Sequence, residues 1–139
     1  MDWTMNLYDK DDGFKIFTLK EANALLPKII EITEQTVMEL EQIKQRLEVE
    51  KIVDEDEAYL HFESESNLIL EEWAEHMVEL GVYPKGYFTV DFKSPIPDTL
   101  FCWTYGEEKI SHTHKIYQSF KDRIPINDEN ILGFEQSLN

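Results

Sequence analysis

The sequence predicts an α+β fold: a long antiparallel helical hairpin with a short N-terminal helix, packed on a small antiparallel β-sheet of three to four strands. Apolar residues recur at spacings of three and four before residue 80, whereas short aromatic and β-branched runs between turn signals follow it. Charge divides the chain in the same way. Leu47 to Leu80 contains twelve acidic residues and one Lys, a net charge of −11. Tyr83 to Ile126 contains five acidic and six basic residues, a net charge of +1.

The first helical segment opens with a capping signal. Thr18 and Glu21 fit the capping-box pattern, in which the Thr18 hydroxyl accepts from the Glu21 amide and the Glu21 carboxylate accepts from the Thr18 amide. Pro27 follows where a helix interior would lose a hydrogen bond and meet a steric clash. We therefore expect a short helix from Leu19 to about Leu25, a bend, and a long helix from Pro27 to about Ile52.

A second long helix is expected after a two-residue connection at Val53 and Asp54. Asp54 is a suitable N-cap, and Gly81 suits the left-handed position after a helix that ends at Leu80. The two predicted seams consist of Leu26, Ile30, Thr33, Val37, Leu40, Lys44 and Leu47, and of Tyr59, Phe62, Ser66, Ile69, Trp73, His76 and Leu80. Antiparallel pairing would bring Lys44 near Glu63.

The end of the hairpin away from the connecting turn should be covered by the β part of the chain. Ile29, Ile32, Leu70 and Met77 widen its apolar face there. Strands are predicted at residues 87–92, 99–105 and 109–113, with a short edge strand at 15–17. The acidic turn end should project into solvent.

The stretch "DTLFCWTYGEEKISHTH" places one cysteine close to two histidines. A hairpin loop of two or four residues would put His112 and His114 on the aromatic face, and Cys102 on the opposite face beside Ser111 or Thr113. A three-residue loop with a bulge would reverse this arrangement. We therefore expect no metal site and no cofactor. Cys102 is interpreted as a small buried residue.

Composition limits the class of protein. The 139 residues, 42% of them hydrophobic, suit a single domain over 1–139. One cysteine cannot form an internal disulfide, and no basic segment precedes an apolar stretch at the N-terminus, so a cytoplasmic protein is expected. No apolar run reaches membrane-spanning length. The net charge of −16 argues against nucleic-acid binding.

Several short motifs resemble the bacterial domain of unknown function family 2203. They are "FTLKEANALLP", "GVYPKGYFTVDF", "LFCW", "GEEKI" and "HKIYQSFKDRIPI". The resemblance covers residues 14–126, with a helical part at 19–80 and a β part at 82–126. It leaves 1–13 as a variable extension and 127–139 as a loose tail. The matched motif positions are Asp91, Cys102, Trp103, Gly106, Glu107, His114 and Arg123. Lys93, Thr113 and Ser119 depart from the family pattern. The resemblance implies the architecture and no particular activity.

Two hypotheses for function follow, and whether the chain is an enzyme stays open between them. The first is a non-enzymatic interaction module that presents its hairpin or aromatic sheet face to a protein partner or a second copy. The second is a small hydrolase or anionic-ligand-binding domain in which Asp91, Glu107, His114 and Arg123 converge. A shared concave pocket would favour the second hypothesis. Separation of these side chains by the sheet would end it.

Overall fold

The computed structural model describes residues 14–127 and 131–136 and has two long helices packed on an antiparallel sheet. Helix α1 is Leu19–Glu50 and helix α2 is Glu55–Glu79. The strands are β1 Tyr83–Lys85, β2 Thr89–Lys93, β3 Thr99–Thr104, β4 His112–Lys115 and β5 Ile124–Pro125, in that spatial order. The α+β class and the helical hairpin are confirmed. The sheet has five strands and not the three to four expected.

Helix α1 begins where the capping signal predicts. The Glu21 amide donates to the Thr18 hydroxyl at 3.0 Å, and the Thr18 amide donates to the Glu21 carboxylate at 2.8 Å. The expected bend before Pro27 is wrong, because one helix continues through that residue. Proline in a helix interior costs about 3 kcal/mol. Burial of Ala22 and Ile29 on either side of it offsets this cost, since packing stabilises helices more than propensity does.

Helix α2 has both of the predicted ends. The Asp54 carboxylate accepts from the Glu57 amide at 3.1 Å. Leu80 is the C-cap, and Gly81 follows with φ +89°, in the region that favours glycine. These ends are determined by local chemistry, which explains why the sequence locates them well.

The buried face of the hairpin differs from the predicted seams. On α1 the buried residues are Ala22, Leu26, Ile29, Thr33, Thr36, Ile43 and Leu47. Of the predicted seam, Ile30, Val37 and Leu40 are only half-buried, and Lys44 is exposed and was placed wrongly. On α2 they are Ala58, Trp73 and Met77, whereas the predicted Tyr59 and His76 are exposed. A heptad seam describes two helices that pack only on each other. Here the sheet also packs on the two helices, so their buried residues include those that face the sheet.

Polar contacts between the helices also differ from the expected Lys44–Glu63 pair. Both of those residues are exposed, and the ion pair across the hairpin joins Arg46 to Glu65. Within the buried face, the Trp73 indole N–H donates to the Thr33 hydroxyl at 3.0 Å. This hydrogen bond satisfies a donor that would otherwise be costly to bury.

The sheet covers the end of the hairpin away from the connecting turn, as predicted. Residues from both elements form one core, which consists mainly of Ala22, Leu26, Ile29, Trp73, Met77, Val82, Val90, Phe92, Phe101 and Trp103. The Asn23 side-chain oxygen accepts from the Ile110 amide at 2.8 Å and thereby ties α1 to the β3–β4 connection. The opposite end of the hairpin is exposed, including Ile52 and Val53.

The strands are displaced from their predicted positions. Tyr87 and Phe88 have positive φ and belong to the turn before β2. Strand β4 begins at His112, three residues after the predicted start. The expected edge strand at 15–17 is only an isolated parallel bridge between Ile16 and Lys93. Strands β1 and β5 occupy the two edges instead.

The predicted loose tail is partly docked. Within 127–139, the short 3-10 helix Leu132–Glu135 buries Phe134, whose ring lies 5.0 Å from that of Phe101. The predicted extension at 1–13 and the remaining tail residues, 128–130 and 137–139, lie outside the described residues. In the part of the chain that the structure describes, no helix combines the length and apolar character needed to cross a membrane.

Candidate functional site

Strand register puts Cys102 on the same sheet face as both histidines. Cys102 lies opposite His112, Leu100 lies opposite His114, and Asp91 lies opposite Cys102 on the other side. Directly opposed residues point to the same face of a sheet. The predicted separation of Cys102 from His112 and His114 is therefore wrong, and so is the reason for expecting no metal site. The aromatic residues Phe101 and Trp103 point toward the helices instead.

The register follows from the β3–β4 connection. Pairing of Cys102 with His112 leaves nine residues between them, an odd number, whereas two- and four-residue loops require an even number. Glu107 fixes this connection. Its side chain accepts from the Thr104 amide at 2.8 Å, and its backbone carbonyl accepts from the Trp103 indole at 2.8 Å. Gly106, with φ +104°, allows the backbone to turn there.

Asp91 and His114 form a buried pair. The His114 Nε2 lies 3.0 Å from the Asp91 Oδ1, and their side chains are 5% and 2% exposed. The His114 Nδ1 donates to the Lys115 carbonyl at 2.8 Å. Burial alone would lower the pKa of His114, but hydrogen bonds with Asp91 and Cys102 raise that pKa to about 10. At neutral pH the ring is therefore an imidazolium that donates from both nitrogens.

Glu107 and Arg123 form a second, bidentate pair nearby. The Arg123 Nη1 and Nη2 donate to the two carboxylate oxygens of Glu107 at 3.1 and 2.9 Å. The guanidinium also lies 4.1 Å from the centre of the Phe120 ring. Burial would raise the pKa of Glu107, but hydrogen bonds from Arg123 and the Thr104 amide give a net lowering. This pair holds β5 and the segment before it against the β3–β4 connection.

Cys102 lies between the two pairs. Its thiol interacts with His114 and with Arg123, and the residue is fully buried. Burial raises the pKa of the thiol, and the hydrogen bond with His114 only partly offsets this effect. The four candidates predicted from sequence thus occupy one sheet face as two pairs, and Cys102 joins them. The loop lengths expected from the sequence placed Cys102 on the opposite face, although its match to a family motif position was a signal for it.

A cavity of about 340 Å³ opens above part of this face. Asp91, Cys102 and His114 form its buried floor, and the segment after β4 forms a wall. The complete lining consists of Lys85, Gly86, Thr89, Asp91, Cys102, His114, Ile116, Gln118, Ser119 and Phe120. The cavity therefore brings small polar groups, an aromatic ring and buried charges together, as small-molecule sites do.

A second hollow of about 260 Å³ lies between the two helices. Its acidic and histidine side chains, Glu31, Glu72 and His76 among them, are exposed to solvent. Exposed acids on a helix need no function to explain them, because they form a solvated face. The sheet-face cavity is the stronger candidate for a site.

Comparison with known proteins gives a family and no function. Residues 15–126, which include all five polar residues of the site, match the model of a family described as an uncharacterized conserved protein, DUF2203. Neither the curated proteins nor the solved structures contain a significant match. Because the family model covers most of the chain, the chain belongs to the DUF2203 family.

Proposed function

We propose that this chain is a small ligand-binding or hydrolytic domain whose site is the sheet-face cavity. The observation that carries the proposal is the convergence of Asp91, Cys102 and His114 from three strands onto the buried floor of this cavity. The Glu107–Arg123 pair lies beside Cys102 and outside the lining. Charged groups lose several kcal/mol each on leaving water, and apolar residues of similar volume often stabilise a protein equally well. Buried charges gathered at a cavity are therefore typical of a binding or catalytic site.

The charge of the cavity favours an anionic ligand. The charged residues of its lining are Lys85, His114 and Asp91, which gives a net charge of +1 when His114 is protonated. The whole chain has a net charge of −16, so this lining is a local exception. A phosphate or carboxylate group would be attracted by the net positive charge of this lining.

Binding is better supported than acid–base hydrolysis by these side chains alone. A general acid or base works best when its pKa lies near the working pH, whereas the pKa of His114 is raised to about 10. Cys102 is also a poor nucleophile as it stands, because burial raises the pKa of its thiol. Hydrolysis would require something that opens the Asp91–His114 pair.

The proposal is tested by titrating the full chain with inorganic phosphate and with acetate under nuclear magnetic resonance, in the presence of a chelator. We expect saturable shifts at the amides of Gly86, Thr89 and Ser119, which line the cavity. His114→Gln should weaken the binding. His112→Gln is the matched control, because His112 shares the sheet face but not the cavity. Shifts that never saturate, or that are equal in both variants, would contradict the proposal.

A second candidate function is supported by the free end of the hairpin. Val49, Ile52, Val53 and Leu60 are 68%, 81%, 91% and 62% exposed there. Acidic residues surround them, so self-association would be repulsive, and a partner protein with a basic and apolar surface is favoured. The other surface predicted for a partner, the aromatic sheet face, is not available, because Phe101 and Trp103 are buried beneath the helices.

This second candidate is tested with a synthetic amphipathic helix of leucine and lysine as the probe. Binding measured by fluorescence anisotropy should weaken in the double variant Ile52→Ser/Val53→Ser and should weaken with added salt. A double variant that binds the probe as tightly as the wild type would show that charge alone is responsible, and would remove this candidate.

A further inference from the structure

Three different metal-ligand side chains meet on the floor of the cavity. The nearest ligand atoms of Asp91, Cys102 and His114 all lie within 4.8 Å of one another. All three residues are buried. Within residues 14–127 and 131–136, no other group of three His, Cys, Asp or Glu side chains meets this condition. The group therefore differs from the many exposed acids of the hairpin.

Rigid neighbouring strands hold these three ligands. Asp91 on β2 is directly opposite Cys102 on β3, and His114 on β4 lies diagonally across from Cys102. Sites built on strands keep their geometry better than sites on loops. A tetrahedral zinc ion with bonds of about 2.0–2.3 Å holds its ligand atoms about 3.3–3.8 Å apart. The present separations need only small side-chain adjustments to reach this geometry.

We propose that Asp91, Cys102 and His114 bind a divalent transition-metal ion of the zinc type, with a fourth position open to the cavity. A thiolate, an imidazole and a carboxylate together suit zinc, whereas magnesium and calcium prefer oxygen ligands alone. Three protein ligands with one open position are typical of catalytic zinc sites. The cavity provides space for the water or ligand that would occupy that position.

The orientation of His114 matches that of a metal ligand. Its Nδ1 donates to the Lys115 carbonyl at 2.8 Å, which leaves Nε2 directed toward Asp91. Histidine ligands commonly donate their second N–H to a carbonyl or carboxylate in this way, which fixes the ring.

Binding of a divalent metal ion would release two protons from the group formed by Asp91, Cys102 and His114, so the net charge of the site is the same before and after binding. Before binding, the Asp91 carboxylate balances the His114 imidazolium, and Cys102 is a neutral thiol. The ion forms bonds to Oδ1, Sγ and Nε2, while the Sγ–H and Nε2–H bonds break and both protons leave to solvent. The product contains one 2+ ion, a thiolate, a carboxylate and a neutral imidazole. The net charge of the group is zero in both states.

This inference deepens the proposed function. It rests on that function in one respect, because the open position of the metal ion faces the same cavity. A bound zinc ion would open the Asp91–His114 pair and could supply the activated water that hydrolysis requires. The two proposals fail separately. Phosphate binding to chelator-treated protein tests the cavity, and metal binding without added anion tests the ligands.

The test uses the full chain, stripped of metal with a chelator and titrated with cobalt(II). We expect one tightly bound ion per chain and a thiolate-to-cobalt charge-transfer band. Cys102→Ser should abolish the band. Cys102→Ser, His114→Gln and Asp91→Asn should each weaken binding by more than the roughly 10–100-fold typical of losing an outer-shell partner. Circular dichroism of each variant establishes that it is folded.

Two control variants separate the site from surface binding. His112→Gln removes a histidine on the same sheet face, and His61→Gln removes one that lies beside Glu50 and Glu57 near the hairpin turn. Both variants should keep the tight site and the band. The inference would be overturned if the wild type bound no cobalt tightly. It would also be overturned if the wild type bound cobalt tightly without a thiolate band and Cys102→Ser bound it equally tightly. Loss of tight binding in His61→Gln alone would also overturn it.

Discussion

The two faces of the β-sheet both bury side chains at their centre, and these central side chains differ in chemistry. On the helix face, Val90, Phe92, Phe101 and Trp103 are each 0% exposed. On the cavity face, Asp91, Cys102 and His114 are 1%, 0% and 6% exposed and contain an ion pair and a thiol. Apolar burial stabilises the fold, whereas charge burial is costly and needs compensation. Burial alone therefore does not identify a structural core. One face forms the core with the helices, and the other forms the floor of the cavity.

The largest expected effect is on the helix face. Phe101→Ala removes a fully buried ring that contacts Phe134, so we expect the free energy of unfolding to fall by about 3–5 kcal/mol. Urea denaturation followed by circular dichroism measures this change. Tyr117→Ala is the control, because Tyr117 is 78% exposed and should change stability by less than about 0.5 kcal/mol. Similar losses from both variants would contradict the assignment of the helix face as the core.

The next effect is on the cavity face. Asp91→Asn leaves the buried His114 ring without its charged partner, and we expect a loss of about 3 kcal/mol at neutral pH. The double variant Asp91→Asn/His114→Gln removes both charges and should lose less than the sum of the two single variants. Strict additivity of the three unfolding free energies would indicate that the pair is not coupled.

A smaller effect tests the polar contact among the helices. Thr33→Val is nearly isosteric and leaves the indole N–H of Trp73 without its hydrogen-bond acceptor. A loss of about 1–2 kcal/mol in unfolding free energy is expected from an unsatisfied buried donor. The cobalt spectrum should not change, because Thr33 lies on the helix side. A change in that spectrum would contradict the expectation that the helix face and the metal site on the cavity face are independent.

The smallest effect concerns pH and the Glu107–Arg123 pair. The folded pKa of Glu107 lies below its ordinary value, since hydrogen bonds from Arg123 and Thr104 outweigh burial. Its contribution to stability is therefore present above the unfolded pKa and is lost as pH falls through the folded pKa. Between pH 6 and pH 3, the wild type should lose more stability than Glu107→Gln. Equal slopes in the two stability profiles would contradict this role.

The parts of the fold that depend on local chemistry could be predicted from the sequence. The Thr18–Glu21 capping box, the Asp54 cap and Gly81 each determine a helix end through neighbouring residues only. The α+β class followed from hydrophobic period, and the covered end of the hairpin followed from its surplus of apolar residues. The expected bend at Pro27 was wrong because the unfavourable effect of proline on the helix is visible in the local sequence. The packing that offsets this effect involves residues distant in sequence.

The arrangement of the site could be predicted only in part. Asp91, Glu107, His114 and Arg123 were identified as candidates, and the structure joins them in two pairs. Only the Asp91–His114 pair lines the cavity, so the four side chains do not share one pocket. Whether Cys102 shares a sheet face with the histidines depends on the number of residues between paired positions on β3 and β4, which can be odd or even. Glu107 decides that number through hydrogen bonds that sequence spacing does not reveal. A one-residue error in register moves a side chain to the opposite face.

The proposed metal site on the cavity face consists of Asp91, Cys102 and His114. X-ray absorption at the zinc edge of the zinc-loaded full chain would identify the atoms that bind the ion there. We predict one sulfur ligand at about 2.3 Å and nitrogen or oxygen ligands at about 2.0–2.1 Å. In Cys102→Ser the sulfur contribution should disappear. Zinc bound in the wild type only by nitrogen and oxygen atoms would contradict the assignment of Cys102 as a ligand.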